Sequence, residues 1–309
     1  MGARINFTNH FHIANRSKKN GVMEFIGYND ITPELIEEIV HDERIKWIQI
    51  SENLPMQGYR MIDSILERRE DLYFRIFHII DGNTFDISFF NDMPHLTRVW
   101  LDAHLREDKH AVNYEYLCEL PNLKGLHLDL FDCRDYSFIN NLSPKLEELI
   151  MFADSMSGTV KFDCKWLLQY KELQSLYLGK KAKKNLECIS QISKLRNLSL
   201  RGIKVEDFRF LKALHLESFA LLWCSNTALS GLGELQSLRE LELWRIMKLD
   251  NLDFISTLVN LETLKLTDLK HITTLPDLSG LKKLANIKID NVPIDLDTLD
   301  ESVRRLIHS

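Results

Sequence analysis

Apolar residues recur along this chain in a six-residue stretch whose first, fourth and sixth positions are hydrophobic. The clearest copy is Leu-Arg-Glu-Leu-Glu-Leu at residues 238–243. Neighbouring copies start 21 to 23 residues apart from Leu173 onward and 22 to 29 residues apart before it. A recurrence of this length predicts one continuous repeat array. The stretch can be placed eleven times, starting at Ile45, Phe74, Leu96, Leu123, Leu146, Leu173, Leu195, Leu216, Leu238, Leu261 and Leu284.

The alternation within each stretch predicts a β-strand, because side chains two residues apart lie on the same face of a strand. Leu198 and Leu200, for example, are expected to face a core. Between the strands, apolar residues return about every three positions, as at Leu249, Leu252 and Ile255. This spacing predicts short helical turns. The pattern therefore indicates an α/β solenoid with a parallel sheet on one side and short helices or turns on the other.

The two ends of the chain do not fit the repeat. Residues 1–44 predict an N-terminal cap, in which apolar segments at 5–13 and 22–26 form a hairpin around a turn. Thr32 followed by Pro33 then predicts the start of a helix. Residues 45–296 hold the repeats, and residues 297–309 predict an amphipathic capping helix. Terminal repeats lack a neighbour on one side, so both caps are expected to be atypical.

The repeated stretches resemble leucine-rich repeats, and units of 22 to 23 residues look most like the short, internalin-like repeats of bacteria. The resemblance implies a horseshoe with a concave parallel sheet and a convex side of short helices or turns. It also implies an asparagine or cysteine at the ninth position of each unit, where only Cys224 fits the family. The usual asparagine ladder is therefore missing, and apolar packing is expected in its place. The stretches that carry the resemblance include those starting at Leu123, Leu173, Leu195 and Leu261, and the ninth positions are Phe131, Lys181, Ile203, Cys224, Ile246 and Leu269.

The composition of the chain limits which partners and which cell compartment we expect. The chain is 45% hydrophobic and 27% charged, with a net charge of −6, so we expect neither a nucleic-acid partner nor a membrane partner. No apolar run is long enough for a membrane helix, and the N-terminus lacks a hydrophobic signal core. The five cysteines contain no C-x-x-C pair. We therefore expect a cytoplasmic protein with reduced thiols and no cofactor.

The third, fifth and seventh positions of each unit are expected to point out of the sheet on its open side. These positions begin aromatic and end charged along the chain. Aromatic and arginine side chains dominate protein interfaces, so this row is the predicted partner-binding surface. The alternative is that caps or long loops cover the rings and make them ordinary core. The predicted binding residues are Trp47, His78, Arg98, Trp100, His127, Ile150, Phe152, Tyr177, Arg201, Glu242 and Trp244.

One group of residues in the repeats resembles a catalytic or metal site, namely His78, His127, Asp102 and Asp129. The two histidines belong to strands two places apart, so about 10 Å would separate them, with Trp100 between. Zinc requires its ligands about 2 Å away. We therefore predict no metal site and no catalytic residue here. The sequence also shows no Gly-rich phosphate loop and no nucleophile elbow.

The sequence thus predicts a non-enzymatic protein that binds another protein on the open face of its sheet. An inhibitor or immunity protein is one form of this function, by analogy to the family. An adaptor or a structural spacer without a dedicated ligand on that face is the alternative. An enzyme, whether metal-dependent or of the ligase type, is the less favoured class.

Overall fold

The computed structural model describes residues 10–20, 23–77, 84–105 and 111–308. The chain forms two compact units, Met1–Lys161 (unit 1) and Phe162–Ser309 (unit 2). In unit 1 the strands are β1 His10–Ala14, β2 Lys18–Asn20, β3 Met23–Gly27, β4 Trp47–Ile50, β5 Tyr73–Phe77, β6 Thr84–Phe85, β7 Arg98–His104, β8 Ala111–Val112, β9 Gly125–Phe131 and β10 Glu148–Met151.

The main sheet of unit 1 has the order β10-β9-β7-β5-β4-β1-β3-β2, and β6 pairs separately with β8. All of these pairs are parallel except β2 with β3. One inward side chain from each of five neighbouring strands lies in the same register and is fully buried, which places the core on one face of the sheet. These residues are Ile48, Phe74, Val99, Leu126 and Leu149.

The helices of unit 1 lie between its strands. Helix α1 begins as predicted, because the Thr32 side chain accepts a hydrogen bond from the Leu35 N–H at 3.3 Å and Pro33 takes the first helical position. Helices α2 and α3 lie between repeated stretches that start 29 and 27 residues apart, and these longer spacings leave room for fuller helices. The α-helices are α1 Pro33–His41, α2 Met56–Leu66 and α3 Glu115–Cys118, and the 3-10 helices are Tyr28–Asp30, Ser88–Asp92 and Ser137–Asn141.

The predicted N-terminal hairpin is wrong in its pairing. Strand β1 lies parallel to both β3 and β4, and the antiparallel pair is β2 with β3. The physical reason is the alternation in β1, where Phe11 and Ile13 are buried and continue the inward row of the repeats. Pairing with β4 also satisfies backbone groups that would otherwise lie at an open sheet edge.

Unit 2 contains a regular parallel sheet in the order β17-β16-β15-β14-β13-β12-β11. Leu198, Phe219, Leu241, Leu264 and Ile287 form its inward row, in register and almost completely buried. The strands are β11 Ser175–Gly179, β12 Asn197–Arg201, β13 Ser218–Leu222, β14 Glu240–Trp244, β15 Thr263–Thr267, β16 Asn286–Asp290 and β17 Ile307–His308. The 3-10 helices are Cys164–Gln169, Leu186–Gln191, Phe208–Ala213, Ser230–Glu234, Asp253–Thr257 and Leu296–Thr298.

The C-terminal helix is shorter than the sequence predicts. It forms α4 at Glu301–Arg304, and the chain then adds β17 beside β16 in parallel. The Ile287 N–H donates to the Leu306 carbonyl at 2.7 Å. Strand addition is favoured here because it pairs backbone groups along an edge that a longer helix would leave open. Across the described ranges, every helix is too short or too polar to span a bilayer.

Candidate functional site

The open face of the unit 1 sheet carries the side chains that alternate with the buried row. Strand pairing brings His12, Gln49, Arg75, Trp100 and His127 into one line across five strands. Strand β5 corrects the predicted register at this point. Its inward residues include Phe74 and Ile76, both fully buried, although the sequence pattern placed Ile76 outward.

The slip on β5 has a physical cause. Leu72, Phe74 and Ile76 alternate inward, but Phe77 is also apolar, so the six-residue pattern can start at Phe74 as well. The fifth position of this unit is therefore Arg75 and not His78. His78 lies outside the described residues, so its role in binding stays a prediction. Arg75 is a residue of the site that sequence reasoning missed.

Seven aromatic rings on this face form an unbroken chain, which we call the aromatic row. Three pairs are stacked close to parallel, with ring centroids 4.1 Å apart for Trp100 and His127, 4.8 Å for His10 and Trp47, and 4.9 Å for His12 and Phe25. Edge contacts at 5.0 and 5.5 Å and a stacked contact at 5.5 Å join these pairs and extend the chain. In order, the aromatic row is Phe25, His12, His10, Trp47, Trp100, His127 and Phe152.

Arg75 organises the middle of the aromatic row. Its guanidinium lies 4.1 Å from the centre of the Trp100 ring, donates to Gln49 Oε1 at 2.9 Å and forms an ion pair with Asp102. The side chains of Arg75 and Asp102 are only 18% and 14% exposed. A guanidinium stacked on a ring keeps donors at its edge, so one side chain can bind the ring, an amide and a carboxylate together.

A gap at Gly125 lets polar groups meet across a strand. Gly125 lies in register between Arg98 and Glu148, and the Tyr73 hydroxyl crosses above it to donate to the Glu148 carboxylate. Arg98 donates to Glu147 at 3.2 Å beside it. Any side chain at position 125 would occupy the space that these groups use. Beside the aromatic row, the face therefore carries a fixed polar cluster.

Burial sets the charge state of this face. It lowers the pKa of His127 to about 3, and the positive charge of Arg75 lowers it further in the same direction. Burial also lowers the pKa of His10 and of His12. Two residues beyond His127 on β9, burial and then the Asp102 charge raise the pKa of Asp129. The three histidines of the aromatic row are therefore neutral near pH 7 and act as flat rings.

Unit 2 shows how the repeats close their turns. The residue after each strand from β11 to β16 has a positive φ, and five of the six donate their backbone N–H to the carbonyl that ends the next strand, at 2.7 to 3.0 Å. The strands also pair in register. Each unit of 21 to 23 residues therefore contains one strand and one left-handed turn. These six residues, called the turn row, are Lys180, Gly202, Trp223, Arg245, Asp268 and Asn291.

The chain is built from leucine-rich repeats. Apolar packing was expected at the ninth position of the repeats. Ile203, Ile246 and Leu269 hold this position and are completely buried. Cys224 is buried at the same position, with its Sγ 3.2 Å from the carbonyl oxygens of Ile203 and Leu222. A thiol to carbonyl contact and apolar packing thus replace the missing asparagine ladder.

No protein-family model matches the chain, and no curated protein sequence gives a significant match. An internalin of Listeria monocytogenes is similar at 17% identity and a TM-score of 0.48, over 85% of this chain and 78% of that chain. A second internalin of that organism has 18% identity and a TM-score of 0.41, over 74% and 83%. A leucine-rich repeat protein of Leptospira interrogans has 16% identity and a TM-score of 0.35, over 90% and 92%. Such likenesses say nothing about what this chain binds.

The predicted binding residues that the structure describes fall into two groups, one in each unit. Those of unit 1 lie together on the open face of its sheet, either within the aromatic row or beside it. Those of unit 2 lie at outward positions of β11, β12 and β14. The first group is Trp47, Arg98, Trp100, His127, Ile150 and Phe152, and the second is Tyr177, Arg201, Glu242 and Trp244.

Several residues of these surfaces were missed by the sequence pattern. His10 and His12 lie in a strand that does not match the repeat. Tyr73 and Arg75 were missed because the sequence pattern on β5 was placed three residues too late. Trp223 is 41% exposed in the turn row, beyond the last outward position that alternation predicts. Its signal in the sequence is a large ring at the eighth position of a unit, where Gly202 and Asn291 are found elsewhere.

The residues that resembled a catalytic group are engaged differently. Asp102 pairs with Arg75, and His127 is stacked between Trp100 and Phe152. In the part of the chain that the structure describes, no three His, Cys, Asp or Glu side chains are placed to hold a metal ion. The arrangement offers aromatic surface and hydrogen-bond donors held in place by their neighbours.

Proposed function

We propose that this leucine-rich repeat protein is a non-enzymatic binding protein that holds another protein against the aromatic row of unit 1. The observation that carries the proposal is the row itself. Seven rings lie side by side on the open face of the sheet, where side chains do not contribute to the inward core. Clustered aromatic side chains at such positions are typical of interaction sites.

The repeats of unit 2 provide an internal comparison. At the third position of the unit, β11, β12 and β13 carry Ser175, Asn197 and Ser218. At the fifth position β12 carries Ser199, whereas β11 carries Tyr177. The fold is therefore satisfied by small polar residues at these positions. Large rings in unit 1 are a property of this surface and not a requirement of the strand.

His12 of the row is buried, but the two tryptophans do not behave as ordinary core. Trp47 and Trp100 are half-buried, and their described ring contacts are with other members of the row and with Arg75. Their indole N–H groups are shielded from water and have no acceptor within the described residues. A buried donor without a partner costs about 1–3 kcal/mol. A partner carbonyl group that reaches either N–H would remove this cost.

Within this function, we favour an inhibitor or immunity protein over an adaptor. The support is the rigidity of the row, because rings held by their neighbours lose little conformational entropy when a partner covers them. This form predicts a tight, stoichiometric complex. If the protein is instead an adaptor or spacer without a ligand on this face, loss of the rings should leave the binding of its partners unchanged.

The test is site-specific photo-crosslinking in the cells that naturally make the protein. A photoreactive amino acid replaces Ile150, which lies beside His127 on the open face. We expect one crosslinked protein of defined mass, and we expect the added change Trp100→Ala to abolish it. The matched control is Trp166→Ala, which removes a half-buried tryptophan from a 3-10 helix outside the row.

Two outcomes would contradict the proposal. If the crosslink at position 150 persists at the same yield in the Trp100→Ala protein, the row is not the binding surface. If Trp166→Ala removes the crosslink equally, general loss of stability explains the result. The enzyme alternative is tested separately, because a metal-dependent enzyme would retain stoichiometric metal after purification.

A further inference from the structure

The turn row of unit 2 holds a second cluster of exposed side chains. The row runs along the ends of neighbouring parallel strands, so its members are spaced by about 4.8 Å. Trp223, with 41% of its surface exposed, lies near its middle, and the exposed Met247 lies one residue beyond the buried Ile246. These large apolar side chains are not part of the buried core.

The backbone at Trp223 makes the choice of residue informative. Its φ is 56°, a left-handed conformation that disfavours any side chain with a Cβ and is accepted most easily by glycine or asparagine. The same turn position carries Gly202 and Asn291 in two other repeats, and Lys180, Arg245 and Asp268 in three. The fold would be satisfied by glycine or asparagine. A tryptophan here therefore imposes a cost on folding, which points to a role for its ring outside the fold.

Two arginines lie against this ring. The Arg245 guanidinium is 4.5 Å and the Arg201 guanidinium 5.5 Å from the ring centre, and the Trp244 ring meets it edge-on at 5.6 Å. Stacking on a ring restricts a guanidinium in position while its planar N–H groups stay directed sideways. Arg245 is exposed, so its donors face solvent beside the ring. This geometry suits a carboxylate with an apolar neighbour.

The charge reverses further along the row. Asp268 follows Arg245 at the same turn position of the next repeat, and Asp290 ends the strand after that. The Trp244 indole donates to Asp268 at 3.0 Å, and hydrogen bonds from Asn291 and Trp244 hold the pKa of Asp268 below its usual range. In chain order the edge thus presents an exposed ring, then positive charge at Arg245 and then negative charge.

We propose that the turn row of unit 2 is a docking surface for an extended segment of a partner protein with mixed charge. The segment lays an apolar side chain on Trp223, directs acidic side chains at Arg245, and directs basic side chains at Asp268 and Asp290. Five strand spacings separate the ends of the row, about 24 Å, which an extended peptide of about seven residues covers. A nucleic acid fits less well, because its unbroken negative charge would run from the arginines onto the two aspartates.

The experiment measures the binding of three fluorescent probes to the whole chain by anisotropy at low salt. The first probe is a peptide of about eight residues with Phe and Leu, then acidic residues, then lysines. The second replaces its lysines by glutamates, and the third is a single-stranded oligothymidine of similar length. We expect the mixed peptide to bind most tightly. Arg245→Ala and Trp223→Asn should each weaken it at least about tenfold.

Trp223→Asn removes the ring and keeps a residue that accepts a positive φ, so its thermal midpoint should not fall. The matched control is Arg239→Ala, which removes an exposed arginine just before the other end of the same strand, where it pairs with Glu262. This control should change binding less than twofold. Asp290→Lys should reverse the preference, so that the all-acidic peptide binds more tightly than the mixed one.

The proposal is overturned by any of three results. The oligothymidine could bind more tightly than both peptides, which would assign the surface to nucleic acid. The two peptides could bind the unmodified chain equally, or not at all, which would show that the surface does not select a segment of mixed charge. Arg239→Ala could weaken the mixed peptide as much as Arg245→Ala, which would show that only net charge matters.

Discussion

Replacing Gly125 by alanine tests the polar cluster beside the aromatic row. A Cβ built at this position lies 2.6 Å from the Tyr73 hydroxyl oxygen and 2.8 Å from Nη1 of Arg98. These separations are shorter than atoms that are not bonded to each other can accept. The hydrogen bond from Tyr73 to Glu148 must therefore open, or the strands must move apart.

The expected cost follows from three contributions. Forcing one methyl group into a filled space costs about 1–3 kcal/mol, and losing a hydrogen bond to a carboxylate costs about 1.5–3 kcal/mol. Alanine restricts the unfolded chain and returns about 0.4–1 kcal/mol. We expect Gly125→Ala to lower the free energy of unfolding by about 2–4 kcal/mol, measured by urea titration.

A double-mutant cycle identifies the cause. Tyr73→Phe removes the hydroxyl that the new Cβ would meet, so Gly125→Ala should cost at least about 1 kcal/mol less in that background. Gly280→Ala is the matched control, because a Cβ there meets nothing within 4 Å. We expect it to change stability by less than about 0.5 kcal/mol. An equal cost of Gly125→Ala with and without the hydroxyl would refute the assigned contact.

Three further changes test the core, the turn and the buried histidine. Leu241→Ala should cost about 2–5 kcal/mol in urea unfolding because it opens a cavity in the inward row, and a cost below about 1 kcal/mol would contradict that packing. Cys224→Asn should be about 1 kcal/mol more stable than Cys224→Ala, since its amide can donate to the carbonyls that the thiol contacts, and equal stabilities would exclude this. The folded pKa of His127 is lowered to about 3, so the unfolded chain binds its proton first and stability falls as pH drops below about 6.5. Between pH 6.5 and 5 this loss is about 2 kcal/mol, and His127→Phe should remove it from the measured pH profile.

The inward face of the repeats could be predicted because it obeys a simple rule. The positions held by Leu198 and Leu264 must be apolar in every repeat because they face the core. Since the strands pair in register, these apolar positions recur at a regular spacing along the sequence. The rule failed on β5, where Phe74 and Phe77 are both apolar and alternation alone cannot give the direction of the side chains. The paired strands decide it, since Arg75 lies in register with Gln49 and Trp100.

The outward surfaces could be predicted only in part. Trp100 and His127 were found because alternation fixes their direction once the register is known. Their mutual stacking and the contacts of Arg75 depend on distances across strands that are far apart in sequence. Trp223 lies in a turn with positive φ, where alternation has ended and no periodic rule applies. Its position follows from the repeated backbone turn, which the structure shows and the hydrophobic pattern does not.

The stacking of the aromatic row also determines how its function must be measured. Each ring contacts its neighbours in the row, and an aromatic pair contributes about 0.5–1.5 kcal/mol beyond its buried area. Removing Trp100 therefore releases Trp47, His127 and Arg75 together, and lowers stability as well as any affinity. Binding by the row is demonstrated only when variants are compared at the same folded fraction. A loss of affinity that remains under that condition belongs to the surface and not to the fold.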